Sequence, residues 1–61
     1  ENIKKCIYKL KAIYQIPLML HAVHGYSVNE IGQLLDLNTK TVQKRLERAR
    51  QKIKTMLKEE I

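Results

Sequence analysis

Thr39, Lys40, Gln43 and Lys44 fall within six consecutive residues, and their side chains carry the groups that read base edges in a DNA groove. A glutamine amide pairs bidentately with adenine, a lysine ammonium donates to guanine, and a threonine methyl can touch a thymine methyl. Thr41, Arg45 and Arg48 are interleaved with them and suit phosphate oxygens. Contacts of that second kind set register and supply salt-sensitive affinity without reading sequence. Any one of these residues could equally be a solvated helix residue, so the elements that hold them must decide.

From Asn38 to Glu60 the chain contains neither glycine nor proline. At about 1.5 Å per residue this predicts a helix of roughly 30 Å. With about 100° per residue, Val42, Leu46, Ala49, Ile53, Met56 and Leu57 fall within an arc of about 100°, which is the expected core side. Lys40, Lys44, Arg48 and Gln51 point the opposite way, and Arg45 and Lys52 lie on one flank of the apolar stripe. Asn38 is a good N-cap for this helix. Just before it, Asp36 tolerates left-handed geometry, so Asp36 and Leu37 can make a tight turn. The preceding helix has its own start signal, because Ser27 followed three residues later by Glu30 matches a capping box. Ile31, Leu34 and Leu35 are expected to form its buried face, and Gly32 to leave room for a crossing helix. Two capped helices joined by a three-residue turn are the form of a helix-turn-helix, whose second helix enters the major groove.

The first half is apolar at helical spacing in two stretches, Ile3, Ile7, Leu10 and Tyr14, then Ile13, Ile16, Leu20 and Val23. A break near Lys11 and one near Ile16 both fit, since Pro17 disfavours helical geometry at Ile16 and removes a backbone donor. The break near Lys11 is preferred here, with Pro17 kinking the second helix. Gly25 is expected to end that helix in left-handed geometry, with Tyr26 folding back as the following apolar residue. No alternating polarity suggests a strand. The expected fold is therefore all-α, one small four-helix domain over residues 1–61 with helices at about 2–10, 12–24, 28–35 and 39–60.

A chain of 61 residues buries only a thin core. Cys6 is the only cysteine, so no disulfide supports the fold, and its place between Ile3, Ile7 and Leu10 reads as a small buried hydrophobe in a reducing compartment. The net charge is +6, unevenly placed. Residues 40–61 hold eight basic residues against three acids, residues 1–11 hold four against one, and residues 12–39 hold only the acids Glu30 and Asp36. A basic C-terminal helix beside a neutral body is the footprint of a polyanion binder, though a lysine-rich solvated helix has the same composition. No run is long and apolar enough to span a bilayer, and no signal peptide is visible. The chain begins at Glu1 without a methionine, as expected of a domain belonging to a longer protein.

The stretch Gly25-Tyr26-Ser27, Glu30-Ile31-Gly32, Leu35, Thr41-Val42, Arg45-Leu46 and Arg48-Ala49-Arg50 resembles region four of bacterial sigma factors, especially the extracytoplasmic-function group. Upstream, Leu10 and Tyr14-Gln15-Ile16-Pro17-Leu18 look like the stretch preceding that motif. The chain departs from the family pattern at Lys11, at Gln15, at Gly32 where alanine is common, and at Asp36 where glycine is common. The resemblance implies a cytoplasmic domain that reads the −35 element of promoters and docks on the flap of the RNA polymerase β subunit, with an anti-sigma factor as a further partner. Carried over residue by residue, it puts base contacts on Thr39, Lys40, Gln43 and Lys44 and backbone contacts on Thr41, Arg45 and Arg48, the set already chosen from side-chain chemistry.

Two other readings use the same helices. Response-regulator-like activators carry a similar frame, but Arg48-Ala49-Arg50 and the long basic helix argue against them. A helical protein-interaction module would bind another helix through its apolar faces and not DNA. Enzyme activity has little support. His21 and His24 are three apart, yet no acid or cysteine completes a metal or catalytic set beside them. No cofactor and no metal are expected.

Overall fold

Local capping chemistry and one long uninterrupted apolar stripe organise the domain. The structure is a computed structural model that describes residues 2–59. Among these the regular structure is entirely helical: α1 (Asn2–Lys9), α2 (Ala12–Ala22), α3 (Val28–Leu35) and α4 (Thr39–Glu59). The expected extension of the last helix to Glu60 lies outside the described residues. The domain measures 37 × 19 × 15 Å. Its long axis exceeds the length of α4, roughly 31 Å at the usual helical rise.

Helix α4 is the spine, packing against each of the other three helices, while α2 also packs on α3. The buried core takes Leu10, Leu18, Ile31, Val42, Leu46 and Ala49, one or more from every part of the chain. Ile53 and Met56 continue the α4 stripe, partly buried against that core. The arc expected from the period of α4 is thus the face that packs. Cys6 is a free, fully buried thiol, as its apolar spacing implied. Lys52 Nζ lies 5.3 Å from the centroid of the Tyr14 ring, a cation–π contact that ties α4 to α2.

The inner face of α2 differs from the expected one. Ile13, Ile16 and Val23 are 49%, 47% and 61% exposed, and the buried side chains are Pro17 and Leu18, with Tyr14 and Leu20 packed beside them. The cause is composition: AIYQIPLMLHA is apolar around most of its circumference, so either of two stripes could face inward. Pro17 sits inside an unbroken helix, with its apolar ring in the core. The break falls at Lys11, whose extended backbone (ψ 152°) separates α1 from α2.

Two helices end earlier than expected. The α1 helix closes with a tight bond from the Leu10 amide to the Ile7 carbonyl, 3.1 Å, and stops at Lys9, not Leu10. The α2 helix stops at Ala22, not His24, because the Met19 carbonyl accepts from both the Val23 and His24 amides and the ladder widens. Gly25 then reverses the chain at φ 74°, and the Tyr26 amide returns to the Leu20 carbonyl at 3.0 Å. Tyr26 itself remains exposed, with its ring tilted beside His24 at 6.5 Å.

In α3, Ile31 and Gly32 are buried, but Leu34 is 59% exposed and so does not belong to the buried face. Eight residues give two turns, and the inward side is filled by Val28, Ile31, Gly32 and Leu35. Gly32 also answers to a different neighbour than expected. A Cβ there would stand 2.7 Å from the Leu37 carbonyl oxygen, whereas the nearest Val42 methyl is 3.9 Å away, an ordinary contact. The close approach is made by the turn backbone, not by the crossing helix.

Candidate nucleic-acid interface

Helix α3 begins with a reciprocal cap. The Glu30 amide donates to Ser27 Oγ at 3.1 Å and the Ser27 amide donates to Glu30 Oε1 at 2.8 Å. These bonds, the backbone one first, hold the Glu30 carboxyl below its usual value of 4.5. The helix ends at Asp36, which adopts φ 57° and ψ 49°. The Leu37 amide returns to the Gly32 carbonyl at 2.8 Å, and the Leu37 side chain tucks against the core. Helix α4 then starts on Asn38, whose Oδ1 accepts from the Thr41 amide at 2.8 Å. Two side-chain caps and one left-handed residue thereby fix the direction of α4 relative to α3.

This geometry brings Lys40, Gln43 and Lys44 together. They line one cleft of about 460 Å³ whose far wall is His21 of α2 and Val28 of α3. All three are exposed, as is Thr39. Thr39, however, faces a separate hollow beside Asn29, Gln33 and the Asp36–Asn38 turn. Arg45 and Thr41 are half-buried. Arg45 lies over an apolar depression formed by Ala12, Ile13, Ile16, Leu35 and Leu37, on the other flank of α4. Arg48 is exposed and lines a shallow surface with Glu47, Gln51, Lys52 and Thr55. The expected base-reading and backbone-holding residues therefore divide between the outward crest of α4 and its two sides.

Beside the apolar Val28 and Leu46, the main cleft contains three polar residues that the sequence pattern was not expected to bring there: His21, Glu47 and Arg50. Glu47 and Arg50 continue the stripe of Lys40, Gln43 and Lys44 by one and two turns, so extending the period of α4 would have found them. His21 comes from another helix and has no such signal. Its Nδ1 donates to the Tyr26 carbonyl at 2.8 Å, since a carbonyl can only accept, and this bond pins the ring where α2 hands over to α3. Among the described residues no group of three or more His, Cys, Asp or Glu could hold a metal ion.

A capped two-helix unit with an exposed, polar and basic first turn on its second helix defines a helix-turn-helix domain. Residues 1–53 match the family model described as "Sigma-70, region 4". The chain belongs to that family: it is a DNA-binding region of a sigma factor, a module of transcription that works with DNA and RNA polymerase. Comparison with curated proteins and with solved structures finds no match. Among the described residues no helix is long and apolar enough to cross a membrane.

Proposed function

We propose that this domain reads the −35 element of promoters in the cytoplasm, as the C-terminal domain of an extracytoplasmic-function sigma factor that directs RNA polymerase to its start sites. The observation that carries the reading is the convergence of Lys40, Gln43 and Lys44 in one cleft at the start of α4. Two lysines and a glutamine in adjoining turns can select purines through their major-groove edges. Thr39 extends the base-reading set at the first helical position. Thr41, Arg45 and Arg48 recur at helical spacing outside the cleft, with Arg45 on the other flank of α4, where they would hold one phosphate strand.

Docking on the flap of the polymerase β subunit finds support in the other flank. Ile13 and Ile16 are about half exposed beside Leu35 and Leu37, an apolar surface away from the cleft that a partner helix can cover. An anti-sigma factor would use apolar surface of the same kind to keep the domain from polymerase. The test is selection from random duplex DNA, carried out with and without the isolated flap segment. A recurrent, salt-sensitive motif that the flap does not displace is the expected result. Enrichment of no sequence would overturn the reading.

A further inference from the structure

Glu47 is the one acid between Leu37 and Lys58, and it stands on the crest of the most basic surface of the chain. It lines the cleft of Lys40, Gln43, Lys44 and Arg50 on one side and the surface of Arg48, Gln51 and Lys52 on the other. An exposed carboxylate there repels phosphate and lowers the affinity for any polyanion. Its spacing from Lys44, three residues before, and Arg50, three residues after, would allow charge pairs that stabilise an exposed helix only slightly. A carboxylate that weakens general binding at the centre of such a surface is suited instead to discriminate among base edges.

We propose that Glu47 is a specificity-determining residue that reads a cytosine by accepting a hydrogen bond from its N4 amino group. The proposal rests on the reading of α4 as the groove-entering helix. Carboxylates are the side chains suited to that donor, whereas the acceptors of guanine and thymine repel them. Glu47 stands seven positions after Lys40, with Gln43 and Lys44 between, and positions spread over that span reach successive bases when a helix enters the groove at an angle. Lys40 and Lys44 would donate to guanine and Gln43 would pair with adenine, so Glu47 adds cytosine, a base-edge pattern that none of the three takes. The predicted site thus has a cytosine at the end of the run that is contacted by the C-terminal side of the stripe. Rejection of thymine there comes from its O4 facing the carboxylate, so the acid selects by exclusion as well as by attraction.

The experiment is duplex selection and titration with the parent domain, Glu47→Gln and Glu47→Ala, all three checked for equal helix content and melting. Expected is a parent preference for cytosine at one position, lost about tenfold or more in Glu47→Ala and shifted to adenine in Glu47→Gln, with the other positions unchanged. An identical motif from all three proteins, with affinity raised uniformly in the two variants, would overturn the proposal and leave the promoter-reading function standing. A parent that enriches no motif would overturn both. If Glu47→Ala melts early, Glu47→Gln alone decides, because it keeps the side-chain length and helix propensity.

Discussion

Replacing Gly32 by alanine opposes two effects of similar size, and the structure states which one wins. Alanine is favoured over glycine inside a helix by about 1 kcal/mol. Against this, the new Cβ would lie 2.7 Å from the Leu37 carbonyl oxygen, a backbone atom fixed by the turn. The Leu37 amide also donates to the Gly32 carbonyl at 2.8 Å, so opening the turn lengthens a bond that ends α3. Forced repacking of this kind typically costs about 1 to 3 kcal/mol. The net expectation is a loss of about 1 kcal/mol, a fall in Tm of about 4 to 8 °C in a domain of this size. Asp36→Gly should act in the other direction, by up to about 1 kcal/mol, since it frees a residue held at φ 57°. In the double variant, glycine at 36 lets the turn relax around the new methyl, so the combined effect should be more favourable than the sum by about 0.5 kcal/mol or more. Thermal melts of the four proteins measure the cycle. A Gly32→Ala variant that melts several degrees higher than the parent would refute the reasoning, because the turn would then not be tight.

Leu46 is 3% exposed in the middle of the α4 stripe, so Leu46→Ala should cost about 2 to 5 kcal/mol, most of what so small a core supplies, and circular dichroism should show largely lost helix. Ser27→Ala removes the side-chain acceptor of the α3 cap and should cost about 1 kcal/mol, with DNA affinity falling only as far as the folded population falls, as paired melts and titrations on one sample will show. The depressed Glu30 carboxyl stabilises the fold above 4.5 and loses that contribution as pH falls through its folded value, so the parent should melt above Glu30→Gln at neutral pH and that advantage should vanish in acid, because the glutamine keeps an acceptor for the Ser27 amide without titrating.

The parts of the fold legible in the sequence are those determined by neighbours a few residues apart. Ser27 with Glu30, Asp36 in the left-handed region and Asn38 before Thr41 are local chemistry, and they mark the α3 and α4 starts and the turn between them. The α4 core face was legible because basic residues alternate with a single apolar stripe. The α2 face was not, because Ile13 and Ile16 compete with Pro17 and Leu18 and only packing against α4 and α3 chooses between them. Leu34 was misplaced for a related reason: a two-turn helix gives too few residues to fix the edge of its stripe. The cleft was half legible. Lys40, Gln43 and Lys44 follow from the period of α4, but His21 enters from α2 by a chain reversal at Gly25 whose direction no local pattern specifies.

Whether the first turns of α4 read bases is decided by Lys44→Ala. Lys44 is exposed in the cleft and does not belong to the buried core, so the variant should melt with the parent. Both proteins should be titrated at one salt concentration against the duplex selected by the parent and against a duplex of random sequence. A base-reading Lys44 gives a loss of about tenfold to a hundredfold on the selected duplex and only a few-fold on the random one, because a base contact carries selectivity that a phosphate contact does not. Equal losses on both duplexes would contradict base reading and make Lys44 a phosphate contact.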